Sequence, residues 1–193
     1  MTKKKITKAS IIMCLVLMLF GISACSGNSS GEETANKQGE NDNWLSFPDD
    51  MASKGFLPQS IVDDFPGHSI SEDSEGVLYL WSISDENSDM IHKIELAEKD
   101  DDLIFYHYKN YSFDVPNLST QMTKDEALNM VNDFATTFIK DGDKLIFENG
   151  EGSSSLYRPG HVEGWIADTG IDHHTVMVDF DMGSIIYYAC ETN

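Results

Sequence analysis

The chain predicts an α+β fold, in which an antiparallel β-sheet made of two similar strand groups packs against one long amphipathic helix. Three observations carry this. The stretch TKDEALNMVNDFATTFIKDG, Thr123 to Gly142, is written as a helix with both of its ends marked. Around it lie short runs in which apolar and polar residues alternate, the signature of half-buried strands. Those runs fall into two groups that resemble each other in order and spacing.

Within the helix, the Thr123 hydroxyl is placed to cap the first turn while Glu126 reaches back to the cap amide, a capping box. Ala127, Val131, Phe134, Ala135 and Phe138 recur at helical spacing, and Leu128 and Ile139 widen that stripe. Lys140 complements the last turn, and Gly142 is placed to end the helix in the left-handed conformation. A helix with one apolar face needs a sheet to cover it.

Taken in order, Trp44 to Gly67 mixes aromatics with prolines, which argues against long regular structure. Pro58 at a first helical position starts a short helix through Ile61, Val62 and Phe65, which Pro66 closes. Trp44, Leu45, Phe47, Phe56 and Leu57 are expected to cap one end of the core, the sharper alternative being an aromatic surface for peptide or lipid. From Gly76, Val77, Tyr79, Trp81 and Ile83 alternate along a strand. Glu86 to Ser88 is turn material, Ile91 to Leu96 a second strand, Lys99 to Asp101 a turn, and Leu103 to Tyr108 a third strand. Short links between consecutive strands imply an antiparallel meander. Asn110 to Gln121, with Pro116, leads to the helix. Beyond it come a strand at Lys144 to Phe147, a Ser-rich loop at Glu148 to Gly160, and strands at His161 to Ala167, His174 to Phe180 and Ser184 to Cys190. Asp181-Met182-Gly183 suits a hairpin loop with Gly183 left-handed.

The internal echo is specific. Gly76 precedes Trp81 by the same interval as Gly160 precedes Trp165, and HKIELAEKDDDLIFYHY lies against HTVMVDFDMGSIIYYAC. The first copy has two residues more in its first turn. Two degenerate repeats, at about 58–110 and 123–190, follow from this, within a single acidic domain at 44–193.

Residues 1–24 read as a targeting segment. Lys3, Lys4, Lys5 and Lys8 precede an apolar run from Ile11 to Phe20 that is short of the roughly 20 residues a membrane-spanning helix needs. Ile22-Ser23-Ala24-Cys25 then resembles the lipobox of bacterial lipoproteins. That resemblance implies cleavage before Cys25 and a diacylglycerol on its thiol, a stable two-chain anchor. An ordinary signal peptide cut near Ala24 is the plainer alternative. Residues 26–43 hold Ala35 as their one apolar side chain and read as a flexible tether.

The formal charge of the whole chain is −20; four of its 13 basic residues and none of its 33 acidic ones precede Cys25, so the remainder carries −24. Phosphate neutralisation needs a basic patch, so a nucleic-acid partner is excluded and a basic or cationic one is favoured. Cys14 leaves with the leader and Cys25 takes lipid, so Cys190 has no cysteine to pair with and core packing must hold the domain together.

A helix opening T-K-D-E-A-L-x-x-V, followed by strands ending V-x-V-D-x-D-x-G-x-I-I-x-Y, resembles PepSY-type domains and the related YcdB-like repeats over Thr123 to Tyr188, with a weaker echo over Gly76 to Tyr108. The resemblance implies a helix on an antiparallel sheet, an exported protein, and a non-catalytic module that binds peptidases or other envelope proteins. These motifs are structural and transfer no site residues.

Candidate chemistry is sparse. Asp168, Asp172, His173, His174 and Asp179 form the densest group, but adjacent histidines in a strand point to opposite faces and cannot share a metal ion. Asp100-Asp101-Asp102 and Asp141-Gly142-Asp143 are oxygen-rich without a calcium-loop pattern. Ser153-Ser154-Ser155 lacks rigid support for a nucleophile, and no hydrolase or phosphate-binding motif occurs. No catalytic, metal or cofactor-binding residue is assigned, and no cofactor is expected. The one assigned site is lipid attachment at Cys25. The expectation is therefore a lipid-anchored extracytoplasmic lipoprotein with a non-catalytic protein-binding domain, regulating an exported peptidase. The alternative is a small-ligand or cation-binding envelope lipoprotein.

Overall fold

Among the described residues eight strands, six of them with apolar alternation, form one antiparallel sheet, and the helical segments supply the layer that covers its inner face. The structure is a computed structural model describing residues 44–84, 90–110, 122–150 and 162–192. The leader, Cys25, the tether, the turn at 86–88, most of the connection at 110–121, and residues 151–161 of the Ser-rich loop lie outside the described residues, as does Arg158. Among the described residues no helix is long and apolar enough to cross a membrane.

The elements run α1 (Phe47–Ser53), α2 (Gln59–Val62), β1 (His68–Asp73), β2 (Gly76–Ser84), β3 (Met90–Lys99), β4 (Asp102–Asn110), α3 (Lys124–Phe138), β5 (Glu148–Gly150), β6 (Val162–Asp168), β7 (Asp172–Asp179) and β8 (Ser184–Thr192). The strands form one sheet in the order β1-β2-β3-β4-β8-β7-β6-β5. Each half is a meander, and the halves meet where β4 pairs antiparallel with β8 through Phe105↔Ala189, Tyr106↔Tyr188 and His107↔Tyr187. The pair Tyr106↔Tyr188 lies at the centre of this join. Trp81 faces Ile94 in one half and Trp165 faces Val176 in the other.

The capping box of α3 forms as expected, with the Thr123 hydroxyl accepting from the Glu126 amide and the Glu126 carboxylate accepting from the Thr123 amide. The inward stripe of Ala127, Val131, Phe134 and Ala135 is fully buried. It meets the sheet through aromatic contacts: Phe134 lies 5.8 Å from Tyr188 and 5.8 Å from Phe56, and Phe138 lies 4.9 Å from Phe47. Phe47, Phe56 and Leu57 are buried in this layer rather than exposed as a binding surface, while Trp44 and Leu45 pack against its rim. The Ile185 amide donates to the Phe56 carbonyl at 2.9 Å, tying the N-terminal segment to β8.

Several boundaries differ from expectation, each for a physical reason. The proline-bearing stretch contains α1, because Pro48 sits in the first turn, where its missing N–H is not needed. Pro58 is the N-cap of α2 rather than its first residue, and that helix stops after four residues, short of Phe65. Strand β1 was not anticipated: HSISED is exposed along its whole length and shows no apolar alternation. The strand expected at Lys144 to Phe147 is displaced to β5, because Gly142–Lys144 form a 3-10 turn first. Asp141, not Gly142, takes the left-handed conformation after α3, at φ 55°. Gly142 is needed for a different reason, since a Cβ there would lie 2.0 Å from the Ala135 carbonyl oxygen. Lys140 stands beyond the last turn and bonds Asp102 at 2.8 Å. Gly183 is left-handed at φ 61°, as the hairpin loop required.

Candidate binding surface

The residues singled out for chemistry are dispersed by the sheet. His173 and His174 lie within β7, on opposite faces. His174 turns to the helix-covered face, where its Nδ1 lies 3.2 Å from the Tyr188 hydroxyl; burial holds its pKa below the usual range. His173 instead sits 3.9 Å from the exposed Asp168 carboxylate. Asp179 is buried and its Oδ1 accepts from the Asp181 and Met182 amides, which shapes the β7–β8 loop. Asp100 and Asp101 both have positive φ, 53° and 66°, forming the two-residue turn between β3 and β4. Asp102 and Asp141 are bound to Lys140 and Lys144. Among the described residues no three His, Cys, Asp or Glu side chains are grouped to hold a metal ion.

A histidine–tyrosine pair recurs in each half. His92 Nδ1 lies 2.9 Å from the Tyr108 hydroxyl, as His174 does from Tyr188, and both pairs stack nearly parallel. Both members occupy matching positions in the sequence, since the two extra residues of the first copy's turn bring Tyr108 into line with Tyr188; that they pair was not legible, because they meet only across the strands. Burial lowers the pKa of His92, with Asp64 partly opposing it. Burial likewise raises the Tyr108 and Tyr188 hydroxyls, so each pair is a neutral hydrogen bond at neutral pH. Cys190 is half-buried against the core and burial raises its thiol pKa, the opposite of what a reactive thiolate needs.

The opposite face of the sheet, away from the helices, carries the arrangement that sequence reasoning missed. Register places Leu80, Glu95, His107, Tyr187 and Met177 in one cross-strand row over β2, β3, β4, β8 and β7. A neighbouring row runs Leu78, Ala97, Phe105, Ala189, Thr175 and Ile166. At the centre, the rings of Phe105, His107 and Tyr187 meet edge to face at 5.4 to 6.1 Å. Beside them Glu95 is clamped by Lys93 at 2.6 Å and Lys109 at 3.1 Å. Burial would raise the Glu95 pKa, but the hydrogen bonds and charges of the two lysines outweigh it and hold it below the ordinary range. Burial, reinforced by the Lys109 charge, pushes His107 down to about 4. Alternation in LIFYHYK and HKIEL contained this face, yet nothing local says which side a helix covers.

Chemically, this face offers half-buried apolar and aromatic area around a cluster of two lysines and one glutamate. No described buried side-chain nitrogen or oxygen lacks a hydrogen-bond partner. Such a surface suits burial against another protein, where aromatics supply contact area and a satisfied polar network adds no desolvated orphan. Comparison with protein-family models, curated proteins and solved structures finds no match.

Proposed function

We propose that the chain is an extracytoplasmic lipoprotein, anchored through lipid on Cys25, whose domain at 44–193 is a non-catalytic module that binds and regulates an exported peptidase. The observation that carries the binding role is the outer sheet face, with Phe105, His107 and Tyr187 packed beside the Lys93–Glu95–Lys109 network. The anchor rests on the order of basic start, apolar run, small residues and cysteine in residues 1–25. The peptidase as partner rests on the resemblance to PepSY-type and YcdB-like modules, whose members include inhibitory propeptides.

Two experiments test this reading. Cys25→Ser should release the protein from the membrane fraction; retention of the variant at the wild-type level would refute lipid anchoring. The full-length chain, solubilised in detergent, should recover a peptidase or its precursor from the envelope and secreted proteins of its own cells. Added chain should lower that peptidase's activity, and Tyr187→Ala with Phe105→Ala should weaken both effects. Recovery that is indifferent to those two substitutions would remove the outer face from the proposal.

A further inference from the structure

The two edges of this pseudo-symmetric sheet are unequal. Among the described residues strand β5 spans three, Glu148–Gly150, which give little backbone for another chain to pair with. Strand β1 keeps six residues, all exposed, and runs in unbroken register from His68↔Trp81 to Asp73↔Gly76. Among the described residues it pairs with β2 alone, so its outer side presents a row of backbone donors and acceptors. It has no proline, no lysine and no bulge, and the charges it does carry, on Glu72 and Asp73, are both negative. Its geometry is set firmly. Gly76 sits at φ 140°, with the Glu98 carbonyl oxygen where a side chain would begin, and the Asp73 carboxylate accepts from the Glu75 amide at 2.7 Å to close the turn.

Charge selects the occupant. No lysine or arginine stands between Lys54 and Lys93, while eight carboxylates do, Glu72, Asp73 and Glu75 among them. A second copy of the chain would set like charges against one another across the new pair, which disfavours it. We propose that β1 is an acceptor strand, to which an extended, lysine- or arginine-bearing segment of a partner protein adds by backbone pairing. This rests on the reading of the domain as a protein-binding module and names the edge and the chemistry of the segment.

The test uses the full-length chain in detergent with a fluorescent peptide of alternating lysine and valine. Its controls are the same peptide with alternate backbone amides methylated and one with glutamate in place of lysine. The lysine peptide should bind. Methylation should abolish binding, because it removes pairing and keeps the charge. Glu72→Lys with Glu75→Lys, which leaves the Asp73 turn bond in place, should weaken binding by about tenfold. Both substituted positions are exposed, so thermal unfolding should be unchanged and serves as the folding check. Equal binding of the methylated peptide would reduce the effect to unspecific charge attraction and overturn the proposal. So would self-association of the chain that the double variant abolishes. A cellular partner that the double variant still captures would refute the edge while leaving the protein-binding function standing; the absence of any partner and any peptide binding would refute both.

Discussion

His107 sits between two aromatic rings on the outer face, and its neutral form is the one the fold accepts. Burial is the main cause of its lowered pKa, about 4 against an ordinary 6.5, and Lys109 adds to it. The folded pKa lies below the unfolded one, so the unfolded chain binds more protons between these values. Stability is therefore fully present above pH 6.5 and is lost as pH falls toward 4. His92 and His174 are shifted in the same direction by burial and add to the same loss. We expect the melting temperature to fall across this window, and His107→Gln to flatten the fall without removing it. Thermal unfolding in steps of pH checks this; an identical slope in the variant would mean that His107 takes up its proton as readily in the fold as in the unfolded chain.

At the scale of elements, α3 is held by its two ends as much as by its apolar stripe. Thr123→Ala removes the capping box and should cost about 1 kcal/mol. Gly142→Ala drives a side chain into the Ala135 carbonyl and should cost more, about 2–3 kcal/mol, because helix backbone must move to make room. Chemical denaturation of the two variants ranks them; a silent Gly142→Ala would show that the 3-10 turn can swing away from the helix. These two positions also show how legibility differed along the chain. The N-terminal cap was readable because its groups are three residues apart. The C-terminal stop was misplaced by one residue because Asp141 tolerates the left-handed region, and only packing shows that Gly142 is required. Strand β1 escaped for a related reason: it lies at an edge, no residue of it is buried, and so no pattern of burial was written into HSISED.

For the whole molecule, the helical layer and the β4–β8 join make one core out of two halves. Phe47 and Phe56 of the first half pack on Phe134 and Phe138 of the second, and the Tyr106 hydroxyl of β4 donates to the Ile185 carbonyl of β8 at 3.1 Å. Neither half retains these partners alone. Residues 44–193 should therefore unfold in a single transition, with the calorimetric enthalpy equal to the van't Hoff value. Two resolved transitions would show that the repeats are independent units.

By itself the sequence determined what depends on neighbours along the chain. That covers the α+β class, the capped helix, six of the eight strands (most to within two residues), the glycine turn at Gly183 and the echo between halves. It also carries the lipobox-like leader, as a pattern of consecutive residues. Tertiary structure alone decided that the two strand groups are one sheet joined at Tyr106↔Tyr188. It likewise decided which side of each strand the helices cover, and that among the described residues β1 pairs on one side only. Those outcomes depend on pairings between residues as much as 84 positions apart, as Phe105 and Ala189 are. An alternating strand has two sides that differ in polarity, but only its neighbours settle which one meets the core and which meets a partner.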